Sequence, residues 1–269
     1  VARAASERAL VRVVHHYGQK PDFVVLGGLV PDLLCSGSAW RHAGTTDVDV
    51  QVNLEVAAGA VNTARLEDAL RNAEFVPDDA RVWRWTADDL GGRTVVKFEL
   101  LVDLDDQPAQ AVISFDECDD LGAVNLRGSG FAARDIEIRQ LTAKVGGDLL
   151  TVDVNVTGLA GFLLAKTAAA RSRRKPKDWY DIAFVLLHND VGGVIEAAQA
   201  IRDKFEADLG GAVLTSLDDL RANFYGPNDQ GPVAYAEQMH LDHPELDRAT
   251  LAADAVLAVR DFYRHLLAR

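Results

Sequence analysis

Apolar positions in the first half of the chain change period repeatedly, while those in the second half keep a helical period to the end. Ala9, Leu10, Val13, Val14 and Tyr17 recur at helical spacing over residues 6–17, and Gly18 suits a helix stop. Phe23 to Leu26 is a short apolar run ending on Gly27-Gly28, which reads as a buried strand. Leu29 to Cys35 can start a second helix with Pro31 in its first turn. Asp47 to Val52 alternates polar and apolar as a half-buried strand does, and a helix is predicted from about Ala60 to Asn72. Val82–Thr86 and Thr94–Leu104 read as a hairpin closed by Asp88-Asp89-Leu90-Gly91-Gly92. On its second strand Val96, Phe98, Leu100 and Val102 face one way, and Lys97, Glu99 and Asp103 the other. Shorter strands are expected at Asp135–Arg139 and Leu149–Val156.

Beyond Thr157 the pattern is helical. Leu159, Phe162, Leu163 and Lys166 share one helix with Ala168–Ala170; Trp179, Ile182, Ala183, Leu186 and Leu187 lie on the next. Leu251, Ala255, Val259, Phe262 and Leu266 mark one face of a terminal helix. The expected architecture is α+β: a mixed-sheet domain over residues 1–156 followed by a helical bundle over 157–269.

Composition narrows the function classes. Of 269 residues, 28 are basic and 41 acidic, for a net charge of −13. Sequence-blind binding to nucleic acid depends on neutralising phosphates, so the whole surface is ill suited to it. No apolar stretch approaches the roughly 20 residues of a membrane helix. Val1-Ala2-Arg3-Ala4 leads into a charged amphipathic segment rather than an apolar signal core. Cys35 and Cys118, without metal-ligand spacing, read as ordinary thiols of a reducing cytoplasm.

Asp47 and Asp49 are two apart on a strand, so both carboxylates leave the same face. Such a pair can share hard, oxygen-seeking cations, chiefly Mg²⁺, and two such ions about 3.5–4 Å apart suit in-line displacement at phosphorus. Upstream, strand, Gly27-Gly28 and helix form a turn where the backbone can approach a phosphate closely. The plainer reading of each is a solvated strand edge and a turn that needs glycine. The two together, separated by a helix and the loop Arg41–Thr46, say more.

The order apolar strand, Gly-Gly, helix, Thr46-Asp47-Val48-Asp49 resembles the nucleotidyltransferase superfamily that shares the palm of DNA polymerase β. Over about residues 22–190 the chain is similar to the AbiEii/AbiGii toxin family, to which the MenT toxins belong. Many relatives carry serine where Gly28 stands, so any hydroxyl contact to phosphate would be missing. The superfamily takes a third carboxylate from a later strand; Glu99 is the first candidate and Asp103 the second. The run Leu163 to Arg171, leading to Lys175-Pro176-Lys177-Asp178-Trp179-Tyr180-Asp181, resembles the AbiEii helical signature: a helix Lys, a basic loop and Asp-x-x-Asp. This implies that Lys166 approaches nucleotide phosphates or the catalytic carboxylates, and that Asp178 or Asp181 orients it or joins the catalysis. The alternative for Lys166 is a packed stem with its amine in water. Arg171, Arg173, Arg174, Lys175 and Lys177 form a basic run that is either a solvated loop or a grip on phosphate, with Arg171 the candidate for the nucleotide.

These residues describe a transferase. Asp47, Asp49 and Glu99 would hold two Mg²⁺, Gly27, Gly28, Lys166 and Arg171 would bind a nucleoside triphosphate, and a hydroxyl acceptor would attack the α-phosphate. The resemblance implies RNA, at a tRNA end, as acceptor and a separate antitoxin protein as partner. An aminoglycoside-type acceptor, or a lapsed palm that only binds nucleotide or a partner, are the rivals. His15-His16, His240 and His243 lack companions for a metal site; His42, near the Asp pair, could contact a nucleotide but reads more simply as an idle loop histidine; Trp83 and Trp85 suit packing better than base stacking.

Overall fold

The computed structural model describes residues 2–52, 61–89, 94–205 and 209–268. Ala60 and the hairpin residues Leu90-Gly91-Gly92 lie outside the described residues. The chain divides into two compact units. One comprises Val1–Val30 and Gly44–Thr157, the other Pro31–Ala43 and Gly158–Arg269. A single cut at residue 156 therefore misplaces Pro31–Ala43, which pass into the helical unit and return.

The first unit is built on one mixed sheet. Its described strands are β1 (Val24–Leu26), β2 (Asp47–Gln51), β3 (Val76–Asp78), β4 (Arg81–Asp88), β5 (Val95–Val102), β6 (Val112–Ser114), β7 (Gly122–Asn125), β8 (Ile136–Val145) and β9 (Asp148–Thr157). They run in the order β3-β4-β5-β2-β1-β9-β8, with β7 paired to β5 and β6. Parallel pairing occurs at β2/β5, β1/β9 and β5/β7. Helix α1 (Ala2–Tyr17) buries Leu10, Val13 and Val14 and packs on α3 (Val61–Asn72), where Leu66 and Leu70 are buried. Phe98 of β5 is fully buried, with Phe23 and Phe75 edge-on to its ring. That covers the apolar face of β5 and leaves Lys97 and Glu99 on the other, as the alternation predicts.

In place of a full helix after Gly28, the chain makes a 3₁₀ turn over Gly27–Leu29 and a five-residue α2 (Val30–Leu34). β6 and β7 were not legible, and the predicted strands at 135–139 and 149–156 extend into the ten-residue arms of a hairpin. A short α4 (Phe131–Arg134) precedes β8.

The second unit is helical: α5 (Leu159–Arg173), α6 (Pro176–His188), α7 (Val194–Phe205), α8 (Gly211–Ala222), α9 (Gln230–Asp242) and α10 (Arg248–Leu267). Pro176 opens α6, where its missing N–H costs nothing. α5 packs on α6, α7 and α8, and α10 on α6, α7 and α9. Val256, Val259, Phe262 and Leu266 of α10 face inward. No helix among the described residues is long and apolar enough to cross a membrane.

Candidate functional site

The sequence-predicted residues fall into two groups, one in each unit. The first is on the sheet. Asp47 and Asp49 open β2, and the parallel register with β5 sets Asp47 beside Lys97 and Asp49 beside Glu99. Directly paired residues share a face, so two aspartates, one glutamate and one lysine project together. The approach to β2 is fixed from below: Ser6 Oγ donates to Thr45 O at 2.9 Å, and Asp47 N donates to Thr45 Oγ1 at 3.0 Å.

The four side chains differ in how they are held. Asp47 is 42% exposed, with Lys97 Nζ 3.3 Å from its Oδ1. That Oδ1 has no hydrogen-bond partner among the described residues. Asp49 is buried, and its carboxylate lies against Gly27. A Cβ on Gly27 would stand 1.9 Å from Asp49 Oδ2, and Gly27 has a φ of +77°, where side chains are strained. Glycine is thus required twice at this position, once by the backbone and once by the carboxylate. Gly28 is buried in the same turn.

Glu99 forms an ion pair with Arg84 across the β4/β5 pairing. Asp103 lies just past the end of β5, and its Oδ2 accepts from Gly128 N at 2.9 Å and Gly130 N at 3.0 Å. It holds the turn into α4 rather than joining the row on β2 and β5. Among the described residues, no three His, Cys, Asp or Glu side chains converge closely enough to hold a metal ion. The donor set of Asp47 and Asp49 is nevertheless all hard oxygen, which suits Mg²⁺, and Asp47 Oδ1 has the Lys97 ammonium nearby but no hydrogen-bond partner among the described residues. Glu99 adds a third carboxylate in register but is committed to Arg84.

The second group lies wholly in the helical unit. Lys166 of α5 is 7% exposed, and its Nζ is 2.9 Å from Asp178 Oδ1 and 2.7 Å from Asp181 Oδ2, both on α6. Helical spacing of three puts both carboxylates on the face that meets α5. Asp178 also receives Arg173 at 3.1 Å, and Asp181 receives Lys177 at 3.1 Å. His42 Nε2 completes the cluster, 2.8 Å from Asp181 Oδ1, with its ring stacked on Tyr180 at a centroid distance of 5.0 Å. The Tyr180 hydroxyl accepts from Ala43 N at 3.0 Å.

Charges govern protonation here. Burial alone would raise the Asp181 pKa, but the Lys166 ammonium, aided by His42 and Lys177, outweighs it and holds the carboxyl well below the usual range. Burial alone would lower Lys166, and the Asp181 and Asp178 carboxylates outweigh it, so its pKa is raised. The two aspartates engage the buried ammonium from α6, taking up two of its three N–H donors. Arg171 is mostly exposed and ion-pairs with Asp219 of α8. His42, which looked like an idle loop residue, is a full member of the cluster. Its partner is 139 residues away, and no local pattern announces it.

No protein-family model and no curated protein matches the chain. Among solved structures it is similar to an antigenic nucleotidyltransferase-like protein from Paracoccidioides brasiliensis, 15% identical, over 96% of this chain and 92% of that one, with a TM-score of 0.38. A likeness at that score leaves the chemistry to be argued from the residues.

Proposed function

We propose that the chain is a metal-dependent nucleotidyltransferase that moves a nucleoside monophosphate from a nucleoside triphosphate to an acceptor hydroxyl. The observation that carries this reading is the β2/β5 register, which aligns Asp47, Asp49 and Glu99 on one face beside the Gly27 turn. In this reading Asp47 and Asp49 hold Mg²⁺, with Glu99 beside them. Bound there, the cation would polarise the α-phosphate and activate the attacking oxygen. Gly27 keeps the Asp49 carboxylate in place, and the Gly27-Gly28 backbone is open to close approach by the triphosphate. Lys97 balances the charge of Asp47. Positioning and charge stabilisation supply most of the rate in phosphoryl transfer.

The similarity of the motifs at residues 163–181 to the AbiEii signature supports RNA, at a tRNA end, as acceptor, with an antitoxin protein as partner. In this reading Lys166, Asp178 and Asp181 act by positioning. The net charge of −13 favours a second reading, a cationic aminoglycoside-type acceptor.

The test is transfer of label from each α-³²P nucleoside triphosphate, with Mg²⁺, to total tRNA and to aminoglycosides, with Asp47→Ala as control. Label on tRNA that disappears in the variant is the expected result. Label on the drug moves the assignment to the second reading. Nucleotide binding without any transfer sinks both and leaves a palm that only binds.

A further inference from the structure

The sheet of the first unit ends on β8, and it finishes that edge unlike its others. β3 is three residues long, contains Pro77, and shifts register against β4 between Pro77 and Asp78. β6, which pairs only with β7 among the described residues, is also three residues long. Short strands, proline and bulges are devices that keep an open edge from pairing with another chain. β8 has none of these. Its ten residues pair with β9 in unbroken register from Ile136 to Val145, without proline or glycine. Every second residue of such a strand turns its N–H and C=O away from the neighbouring strand. Among the described residues no backbone group of β8 bonds to anything beyond the β8/β9 hairpin.

The side chains supply a second observation. Ile136 and Ile138 are 43% and 64% exposed on one face of β8. Glu137 and Arg139 lie on the other face as a part-exposed ion pair, 2.5 Å apart. Antiparallel pairing of β8 with its own copy, about a two-fold axis at Ile138, would set Ile138 opposite Ile138 and Glu137 opposite Arg139, twice. Ile136 of each copy would then stand diagonal to Ile138 of the other, so the exposed isoleucines of both copies would meet on one face. Moving the axis by one residue sets either Glu137 or Arg139 opposite itself. Moving it to Gln140 faces Glu137 with Ala143 and leaves the charges unmatched. The self-complementary register is therefore the one centred on Ile138.

We infer that the chain dimerises through β8, with residues 136–140 of two copies pairing antiparallel about Ile138 and joining their sheets. Backbone groups that face water in one copy gain partners in the other, and the isoleucines leave water. The two Glu137–Arg139 cross pairs select the register more than they add affinity. The inference stands on the first unit alone and does not depend on the transferase reading.

Sedimentation equilibrium of the full chain over a concentration series tests it. The parent is expected to associate reversibly into dimers. Glu137→Arg or Arg139→Glu opposes like charges twice in each dimer and should weaken association about tenfold. The double variant Glu137→Arg/Arg139→Glu restores both cross pairs and should recover the parent's affinity. An equimolar mixture of the two single variants should do the same, because their heterodimer again pairs opposite charges. Urea midpoints equal to the parent's separate these effects from misfolding. Ile138→Cys, at the axis, should give a disulfide-linked dimer on mild oxidation, since directly opposed Cα atoms lie within disulfide reach. Thr142→Cys, far from the axis, should not. A parent that stays monomeric at every concentration, a dimer indifferent to the single charge changes, or a double variant no tighter than the singles overturns the inference.

Discussion

The charged row on the sheet and the charged cluster in the helical unit are both built from aspartates facing a lysine, yet they are finished differently. Lys97 and Asp47 are each more than a third exposed, and one Asp47 oxygen lacks a hydrogen-bond donor. Lys166, Asp178 and Asp181 are nearly inaccessible, and each is contacted by at least two opposite charges or donors. The first arrangement is part-exposed, although the unpartnered Asp47 Oδ1 is itself covered. The second is closed to solvent, although Asp178 Oδ2 also has no hydrogen-bond partner among the described residues, and a buried network of this kind stabilises or positions rather than binds. The Asp181 carboxyl, held below the usual range, contributes stability that is complete above the unfolded value of about 3.9. That contribution is lost only as pH falls toward the depressed folded value.

The sharpest break of this comparison is a pair of substitutions with opposite signatures. Asp47→Ala is expected to lower transfer activity on the order of 10³-fold while changing stability by less than about 1 kcal/mol, since its ion pair with Lys97 is more than a third exposed. Lys166→Met should destabilise by about 3–5 kcal/mol, because two buried carboxylates lose their shared cation. Urea unfolding beside a transfer assay reads both. If Lys166→Met unfolds at the parent's midpoint, the cluster is not the closed network described here.

Within the sheet the same logic separates the two candidates for third carboxylate. Glu99→Gln keeps its shape beside Asp49 and should cut activity about 10²-fold. Asp103→Asn weakens acceptance of the Gly128 and Gly130 N–H groups and should cost about 1 kcal/mol of stability with activity intact. Equal activity of the two variants would remove Glu99 from the site.

Gly27→Ala tests the turn itself. The added methyl meets Asp49 Oδ2 and Cβ, and the residue must hold a φ of +77°. Strain and displacement together should cost about 2–4 kcal/mol. Activity should fall in the same variant, because the carboxylate it displaces is one of the pair.

How far the sequence revealed all this depends on the distance over which each feature is encoded. The β2 aspartates, the two faces of β5 and the Lys166 helix follow from local period, and the structure has them where the period puts them. Gly27 was legible as a turn, but its contact with Asp49, 22 positions later, was not. The places of His42 and Pro31–Ala43 were not legible for the same reason: their partners on α6 and beyond lie more than a hundred residues downstream. Asp103 looked equivalent to Glu99 by alternation, and only the end of β5 at Val102 distinguishes them.

The smallest effect concerns a half-buried histidine of the helical unit that takes no part in its ion pairs. His188 Nε2 lies 2.9 Å from the Tyr235 hydroxyl, and the ring packs against Phe184. Burial lowers its pKa to about 4, with no carboxylate to oppose the shift. Because the unfolded chain binds the proton more tightly than the folded one, stability rises with pH between about 4 and about 6.5. Lowering the pH from 7.5 to 5.5 separates the two: the Lys166–Asp181 pair stays ionised there, whereas His188 should cost about 1 kcal/mol. His188→Gln, which can still reach the tyrosine hydroxyl, should flatten that slope while leaving stability at pH 7.5 within about 1 kcal/mol of the parent. A slope that persists in the variant would assign the titration to a group other than His188.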